Sequence, residues 1–386
     1  MYGWVWRCFQ KFIFLLLKQK ACGIIKVMKI LHCADIHLES KLGALSHNLA
    51  LMRRDEILQS FCNLAKQAQQ NGFGAFVVAG DLFEGSDVSP STKRALIDAF
   101  CSAPDVRFFI LTGNHDQSAF GEDFARRLPK NVTLFGEGIN SCVVEDVCFV
   151  GVDLTTVSQQ QILDFDWQRE YYNVLICHGD VGKRSEYGAI DLDAFFDKPI
   201  DYFALGHIHS YSKEPAGRGF AVYSGCLEPR GYDETGLKGF VRIDTGVLNR
   251  QESISFVPYS KRIAYELKLD VSDCNGKTQI VDKAKQVLSA LEISPLDMVE
   301  FYLVGSVAED CVFSELTVKQ ELQPLLFDVK VKNKTKVKVD LDSLMATPSL
   351  KAEFLKLANE IENEELRDVV IRYGLNALNG EEVDGL

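Results

Sequence analysis

Five apolar runs in this chain each end in a short polar motif: Asp35-Ile36-His37, Gly80-Asp81, Gly113-Asn114-His115-Asp116, His178-Gly179-Asp180 and Gly206-His207-Ile208-His209. Five of the seven histidines lie in these motifs, beside Asp and Asn at the ends of strand-like segments. Histidines gathered in this way point to convergence on metal. A fold that delivers them must end several strands at one place.

The runs alternate with helical periodicity. Ile30-Leu31 leads to Asp35; Ile57, Phe61, Leu64 and Ala68 then recur at helix spacing within 53–70, and 75–78 leads to Asp81. That order is a β-α-β unit. A second helix is predicted over 92–102, with Leu96, Phe100 and Cys101 inward, followed by the run 107–111 before Asn114. Residues 173–177 precede His178, and 202–205 precede His207. Ligands of open α/β sheets collect outside the carboxyl ends of the strands, so one crevice can receive all five motifs. The shorter alternating runs 147–152, 220–223, 240–243 and 253–257 predict a second sheet packed on the first.

A chain of 386 residues exceeds what one core serves, since single cores stop growing at roughly 250 to 300 residues. More than one domain is expected. The 47% hydrophobic and 25% charged fractions exclude disorder and fibres. The 11 cysteines include no Cys-x-x-Cys pair, which removes zinc-knuckle and thioredoxin-like readings. Their odd number fits reduced, buried and inert thiols in a cytoplasmic protein.

Residues 1–27 stand apart. The apolar stretch 12–17 between Lys11 and Lys18 is too short to span a bilayer, which takes about 20 residues, or to serve as a signal peptide. The native fold is expected to begin at Met28, what precedes it being an upstream extension or a misplaced start; a weak membrane-surface anchor is the alternative. No stable membrane insertion is expected.

Asp35, His37, Asp81, Asn114, His178, His207 and His209 offer two carboxylates, one amide oxygen and four imidazoles. That is too many for one tetrahedral metal and suits two metals sharing a carboxylate. The mixed donors favour Mn²⁺, with Fe²⁺, Zn²⁺ or Mg²⁺ as alternatives. Two divalent cations and two aspartates leave about +2, a trap for phosphate. Such a pair can activate water, orient a phosphoryl group and stabilise the leaving oxygen.

In order and without a gap, these motifs resemble the D-x-H, G-D, G-N-H-D/E, H and G-H-x-H pattern of the calcineurin-like metallophosphoesterase superfamily. The resemblance implies an α/β fold, a β-sandwich flanked by helices (α/β/β/α), with a small α+β cap domain. It implies that Asp35, His37, Asp81 and His209 hold one metal and Asp81, Asn114, His178 and His207 the other, with Asp81 bridging. His115 would not ligate but would assist the phosphoryl transition state or protonate the leaving group, oriented by Asp116.

Leu31-His32-Cys33-Ala34-Asp35-Ile36-His37-Leu38 and Gly80-Asp81-Leu82-Phe83 look like the SbcD/Mre11 branch of DNA-repair nucleases. The stretches 204–210 and 224–234 are similar to the bacterial YhaO-like DNA repair exonuclease group, and the likeness runs on through 330–336 to 373–378. One departure is Glu84, where several nucleases of that branch carry a histidine thought to handle the substrate phosphate. Glutamate would not bind a phosphate, which bears on the mode of cleavage.

Net charge of −12 opposes DNA binding over most of the surface. The local exception is Lys330, Lys332, Lys334, Lys336 and Lys338, which alternate with mostly apolar residues and share one face of a predicted strand over 329–339. They read as a DNA-binding ridge or as lysines that guard an edge strand against aggregation. Arg230 is a further candidate DNA contact. His32 reads as a satisfied histidine of the core or of the support behind the metal ligands, and His47 as exposed.

The expected divisions are an extension at 1–27, a nuclease domain at 28–261, an α+β cap at 262–341 and a helical, acidic segment at 342–386. In the last, Leu366, Val369, Val370 and Tyr373 form an apolar stripe that packs on the cap or docks an SbcC/Rad50-like coiled-coil ATPase. A homodimer is implied only by the resemblance. The function expected is a two-metal phosphodiesterase acting on DNA in DNA repair, an exonuclease with endonuclease action as a further option. The alternatives are a phosphoesterase for nucleotides or other small phosphoesters, and a DNA- and ATPase-binding scaffold.

Overall fold

A computed structural model describes residues 27–113, 117–247, 249–308, 310–338 and 348–379. The expectation for 1–27 therefore lies outside the described residues, save Val27. The chain divides into two compact units, one running through Glu266 with Ser294–Val299 and Leu326–Asp328, the other holding Leu267–Ile293, Glu300–Leu325 and the described residues from Val329.

The first unit is built on strands β1 (Lys29–Cys33), β2 (Ala75–Ala79), β3 (Arg107–Leu111), β4 (Val132–Phe135), β5 (Ile139–Val144), β6 (Val147–Val152) and β7 (Tyr172–His178). There follow the short pair β8 (Asp180–Val181) and β9 (Ala189–Ile190), then β10 (Tyr202–Gly206), β11 (Ser212–Ala216), β12 (Gly219–Tyr223), β13 (Gly239–Asp244) and β14 (Ile254–Pro258). They form two six-stranded sheets, ordered β14-β13-β1-β2-β3-β4 and β11-β12-β10-β7-β6-β5. In the first, β1 to β4 run parallel and β13 and β14 antiparallel; in the second, β12, β10, β7 and β6 run parallel with antiparallel edges.

The sheets pack face to face. Ala75, Val77 and Phe109 of the first and Phe149, Val174, Ile176 and Ala204 of the second share one buried cluster. Phe109 and Phe149 stack across it with ring centroids 4.1 Å apart. Alternate residues face the other way: Phe76, Val78 and Phe108 meet helices α1 (His47–Gln70) and α2 (Pro90–Cys101), so the strands are apolar on both faces. Short helices α3 (Glu122–Ala125) and α4 (Gln159–Leu163) follow in the chain, and Ile162 of α4 joins Leu175 and Phe203 on the outer face of the second sheet. The result is the α/β/β/α arrangement.

Two expectations need correction here. The ligand-bearing strands do not share one sheet: β1, β2 and β3 lie in the first and β7 and β10 in the second, while the runs at 240–243 and 254–257 join the first. Strand periodicity reports burial and not sheet membership. Cys101 is exposed; α2 turns Thr92, Leu96, Ala99 and Phe100 inward instead. Six of the described cysteines are buried, and none is in a disulfide.

His47 is exposed at the start of α1. His32 is fully buried, and its Nδ1 lies 2.8 Å from the Tyr202 hydroxyl, joining β1 to β10. Burial lowers its pKa to about 3, so it is a neutral core residue.

Strands β15 (Ala264–Asp270), β16 (Met298–Val304) and β18 (Asp328–Asn333) form a three-stranded sheet whose residues from Leu267, Glu300 and Val329 onward belong to the second unit, in which β17 (Ser306–Val307) pairs with β19 (Lys336–Val337). Helices α5 (Lys277–Ala290) and α6 (Glu315–Leu322) complete an α+β layer, and α7 (Leu350–Ala358) and α8 (Glu364–Asn379) form a hairpin. The apolar stripe expected on α8 is rotated. Leu366 and Val369 are exposed, but Val370 packs partly buried beside Ile371 and Leu375, which lie one turn apart against Leu355 and Ala358 of α7. Among the described residues no helix is long and apolar enough to cross a membrane.

Candidate metal centre

The loops that leave β1 and β2 stay hydrogen-bonded to one another. Asp35 N–H donates to Gly80 O at 3.2 Å, His37 N–H to Asp81 O at 2.9 Å, and Glu84 N–H to Leu38 O at 2.8 Å. This zipper sets Asp35, His37, Asp81 and Glu84 side by side. Asp35, His37, Asp81 and His207 all hold positive φ, at 53°, 49°, 50° and 106°. Each such non-glycine residue costs on the order of 1–3 kcal/mol, strain of the kind concentrated at functional sites.

From the second sheet, β7 delivers His178, and the end of β10 delivers His207 and His209. The His207 backbone N–H donates to both Asp35 carboxylate oxygens, at 3.0 and 3.2 Å. Two glycines make this convergence possible. A Cβ on Gly206 would overlap the Ala79 carbonyl and crowd His178 Nδ1, and one on Gly113 would overlap the Asp81 carboxylate.

The donor atoms fall into two groups, Asp35 with His37 and His209, and Asp35 with Asp81 and His178, the atoms of each lying within 4.8 Å of one another. Asp81 Oδ2 sits 3.6 Å from His37 Nε2 and 3.3 Å from His178 Nε2. The Nε2 atoms of His37 and His209 face each other at 3.3 Å. His207 lies to one side, its Nε2 3.6 Å from Asp180 Oδ1 and its ring centroid 5.4 Å from that of His178. Asn114, His115 and Asp116 lie outside the described residues.

These atoms suit cations. His178 Nδ1 donates to Ala79 O at 3.0 Å, which turns Nε2 towards Asp81 Oδ2 at 3.3 Å. Burial opposes a charged imidazole there, yet Asp81 and Asp35 outweigh it and raise the His178 pKa to about 9. Carboxylates that hold a proton on a buried ring also favour a divalent ion in its place. His207 shifts the other way, lowered by burial and by His178.

Sequence reasoning missed the supporting shell. His37 Nδ1 is 2.7 Å from Glu84 Oε2, and His209 Nδ1 is 2.8 Å from Glu234 Oε1. In the sequence Glu84 shows only as a missing histidine, and Glu234 only as part of a motif. Burial works against the Glu234 carboxylate, but the His209 hydrogen bond and Arg230 hold its pKa well below the usual range. Arg230, expected as a DNA contact, is bound to both glutamates.

The lysine ridge is interrupted. Strand β18 ends at Asn333, whose side chain accepts the Thr335 N–H, and pairing resumes at Lys336. Lys330 and Lys332 lie 3.1 and 2.9 Å from the buried Glu300, so half of their charge is offset; Lys334, Lys336 and Lys338 are exposed.

The family description "Calcineurin-like phosphoesterase" matches residues 28–211. The chain is 23% identical over 285 residues to the uncharacterized metallophosphoesterase YhaO of Bacillus subtilis, covering 68% of each chain. It is 25% identical over 408 residues to the DNA double-strand break repair protein Mre11 of Archaeoglobus fulgidus, covering 92% of this chain and 87% of that one. It is also 26% identical over 306 residues to the SbcD component of the SbcCD nuclease of Escherichia coli K12, covering 65% of this chain and 74% of that one. Residues 28–211 thus carry the likeness to calcineurin-like phosphoesterases, and the chain is a metal-dependent phosphoester hydrolase.

Proposed function

We propose that this hydrolase is a two-metal phosphodiesterase that acts on DNA, as an exonuclease. The observation that carries the metal half is the pair of donor groups around Asp35, fed by strands of both sheets. Asp35, His37, Asp81 and His209 would hold one divalent ion and Asp81, Asn114, His178 and His207 the second, Mn²⁺ by the mixture of oxygen and nitrogen donors. Bound there, the ions would activate water and polarise the phosphoryl oxygen. The protein's own contribution is to present the donors already oriented and to hold His178 and His207 in different electrostatic surroundings. His115, steadied by Asp116, would hand a proton to the leaving oxygen.

The DNA half is supported by the Mre11 and SbcCD relatives and by Lys334, Lys336 and Lys338. A protein with net charge −12, whose ridge has part of its charge offset by Glu300, would lean on a partner for DNA affinity, in keeping with an SbcC/Rad50-like ATPase. The test is purified protein with Mn²⁺ on end-labelled duplex DNA, single-stranded DNA and bis(p-nitrophenyl) phosphate. Metal-dependent shortening of DNA from its ends is expected. Rapid turnover of the small ester with intact DNA would replace this reading by that of a small-phosphoester hydrolase.

A further inference from the structure

Behind His37 and His209 runs a closed bracket of three side chains. Arg230 Nη1 donates to Glu84 Oε2 at 3.1 Å, and its Nε and Nη2 donate to Glu234 Oε1 at 3.0 and 2.9 Å. The Arg230 backbone N–H adds a 2.7 Å bond to Glu234 Oε2, and Lys238 Nζ donates to the His209 carbonyl at 2.8 Å. A cavity of about 730 Å³ is lined by Glu84, Arg230 and Glu234, so the bracket faces solvent.

We propose that Glu84, Arg230 and Glu234 are positioning residues that govern the cation site at His37 and His209 and leave the site at His178 untouched. The proposal rests on the two-metal reading above. A carboxylate backs each ring, Glu84 Oε2 at 2.7 Å from His37 Nδ1 and Glu234 Oε1 at 2.8 Å from His209 Nδ1, with Arg230 Nη2 3.1 Å from the latter nitrogen. Both Nε2 atoms are thereby aimed at one another across 3.3 Å. A cation held by both nitrogens would take the place of that contact. Arg230 keeps the two glutamates from repelling each other, and one guanidinium against two carboxylates leaves a net negative charge behind the rings, which strengthens them as donors. His178 is oriented differently, by the neutral Ala79 carbonyl. Substitutions in the bracket therefore reach one cation site only.

The test is calorimetric titration of the full-length, metal-free protein with Mn²⁺, for the wild type, Glu84→Gln, Glu84→Asp and Arg230→Met. Glu84 is 30% exposed, and the melting temperature of each metal-free variant reports whether the fold is kept. Wild type should take up two ions. In Glu84→Gln and Arg230→Met one step should weaken roughly 10- to 100-fold while the other stays as in wild type, and Glu84→Asp should recover part of the loss. Equal weakening of both steps, or none in a folded variant, overturns the proposal. A lowered melting temperature with both steps weakened would show a merely structural bracket and overturn it too. Fewer than two ions in the wild type itself would instead sink the two-metal reading, and this proposal with it.

Discussion

Arg53 and Glu228 meet at 3.0 Å with both side chains fully buried, one on α1 and the other in the segment after β12. Glu56 joins them, accepting from Arg53 at 2.7 Å and from Lys261 and Arg262 at 2.7 and 2.5 Å. Burial opposes the Glu56 carboxylate, but Arg262, Lys261 and Arg53 outweigh it and lower its pKa to about 2. A depressed carboxylate adds stability above its ordinary value near 4.5 and loses it as pH falls towards about 2. Acid titration of the fold should show a loss of a few kcal/mol in that window, and Glu56→Gln should flatten it. Because Arg53 keeps Glu228 but the buried Arg262 loses the Glu56 charge, that variant should also be less stable by about 3–5 kcal/mol at pH 7, read by chemical denaturation.

Gly206→Ala should disrupt the contact between β10 and the end of β2, since its Cβ would overlap the Ala79 carbonyl. The expected cost is above about 3 kcal/mol, with Mn²⁺ uptake lost as well. A variant as stable as wild type in denaturant would show that the backbone there has room.

Mn²⁺ at about 100 times its Kd should stabilise the protein by roughly 2.7 kcal/mol per site, and a chelator should reverse it. His209→Ala should keep the share that belongs to the His178 side and lose the other. Thermal melts with and without metal read this directly.

Lys334, Lys336 and Lys338 changed together to Gln should weaken DNA binding and lower the slope of log affinity against log salt by up to about 0.9 per lost phosphate contact. Lys330 and Lys332 changed to Gln should instead destabilise the protein, because the buried Glu300 loses its cations. Binding curves across a salt series, set beside melts, separate the two sets.

The apolar runs around Asp35, Asp81, His178 and His207 are legible because strands buried on both faces read as unbroken hydrophobic stretches. Which sheet each strand joins is not legible, since β7 and β10 carry the same local signal as β1 and β2. Glu234 is beyond reach for another reason: it lies 25 residues from His209, and only the fold makes them partners. Helix faces fail near their ends, at Cys101 and Leu366, where a single residue's rotation decides burial even though Ser102 and Asn363 cap those ends. Glu84 shows itself only as a mismatch, and its actual task emerges from the loop zipper between Asp35 and Glu84.

The division of the donors between two sheets also orders events in time. A chain with only β1 to β3 in place owns Asp35, His37 and Asp81 but neither His178 nor His209. On the two-metal reading, a cation offered during refolding would find a complete nest only once the sandwich has shut. From then on it would act as a rivet through both layers, and its uptake would be a clock for their assembly.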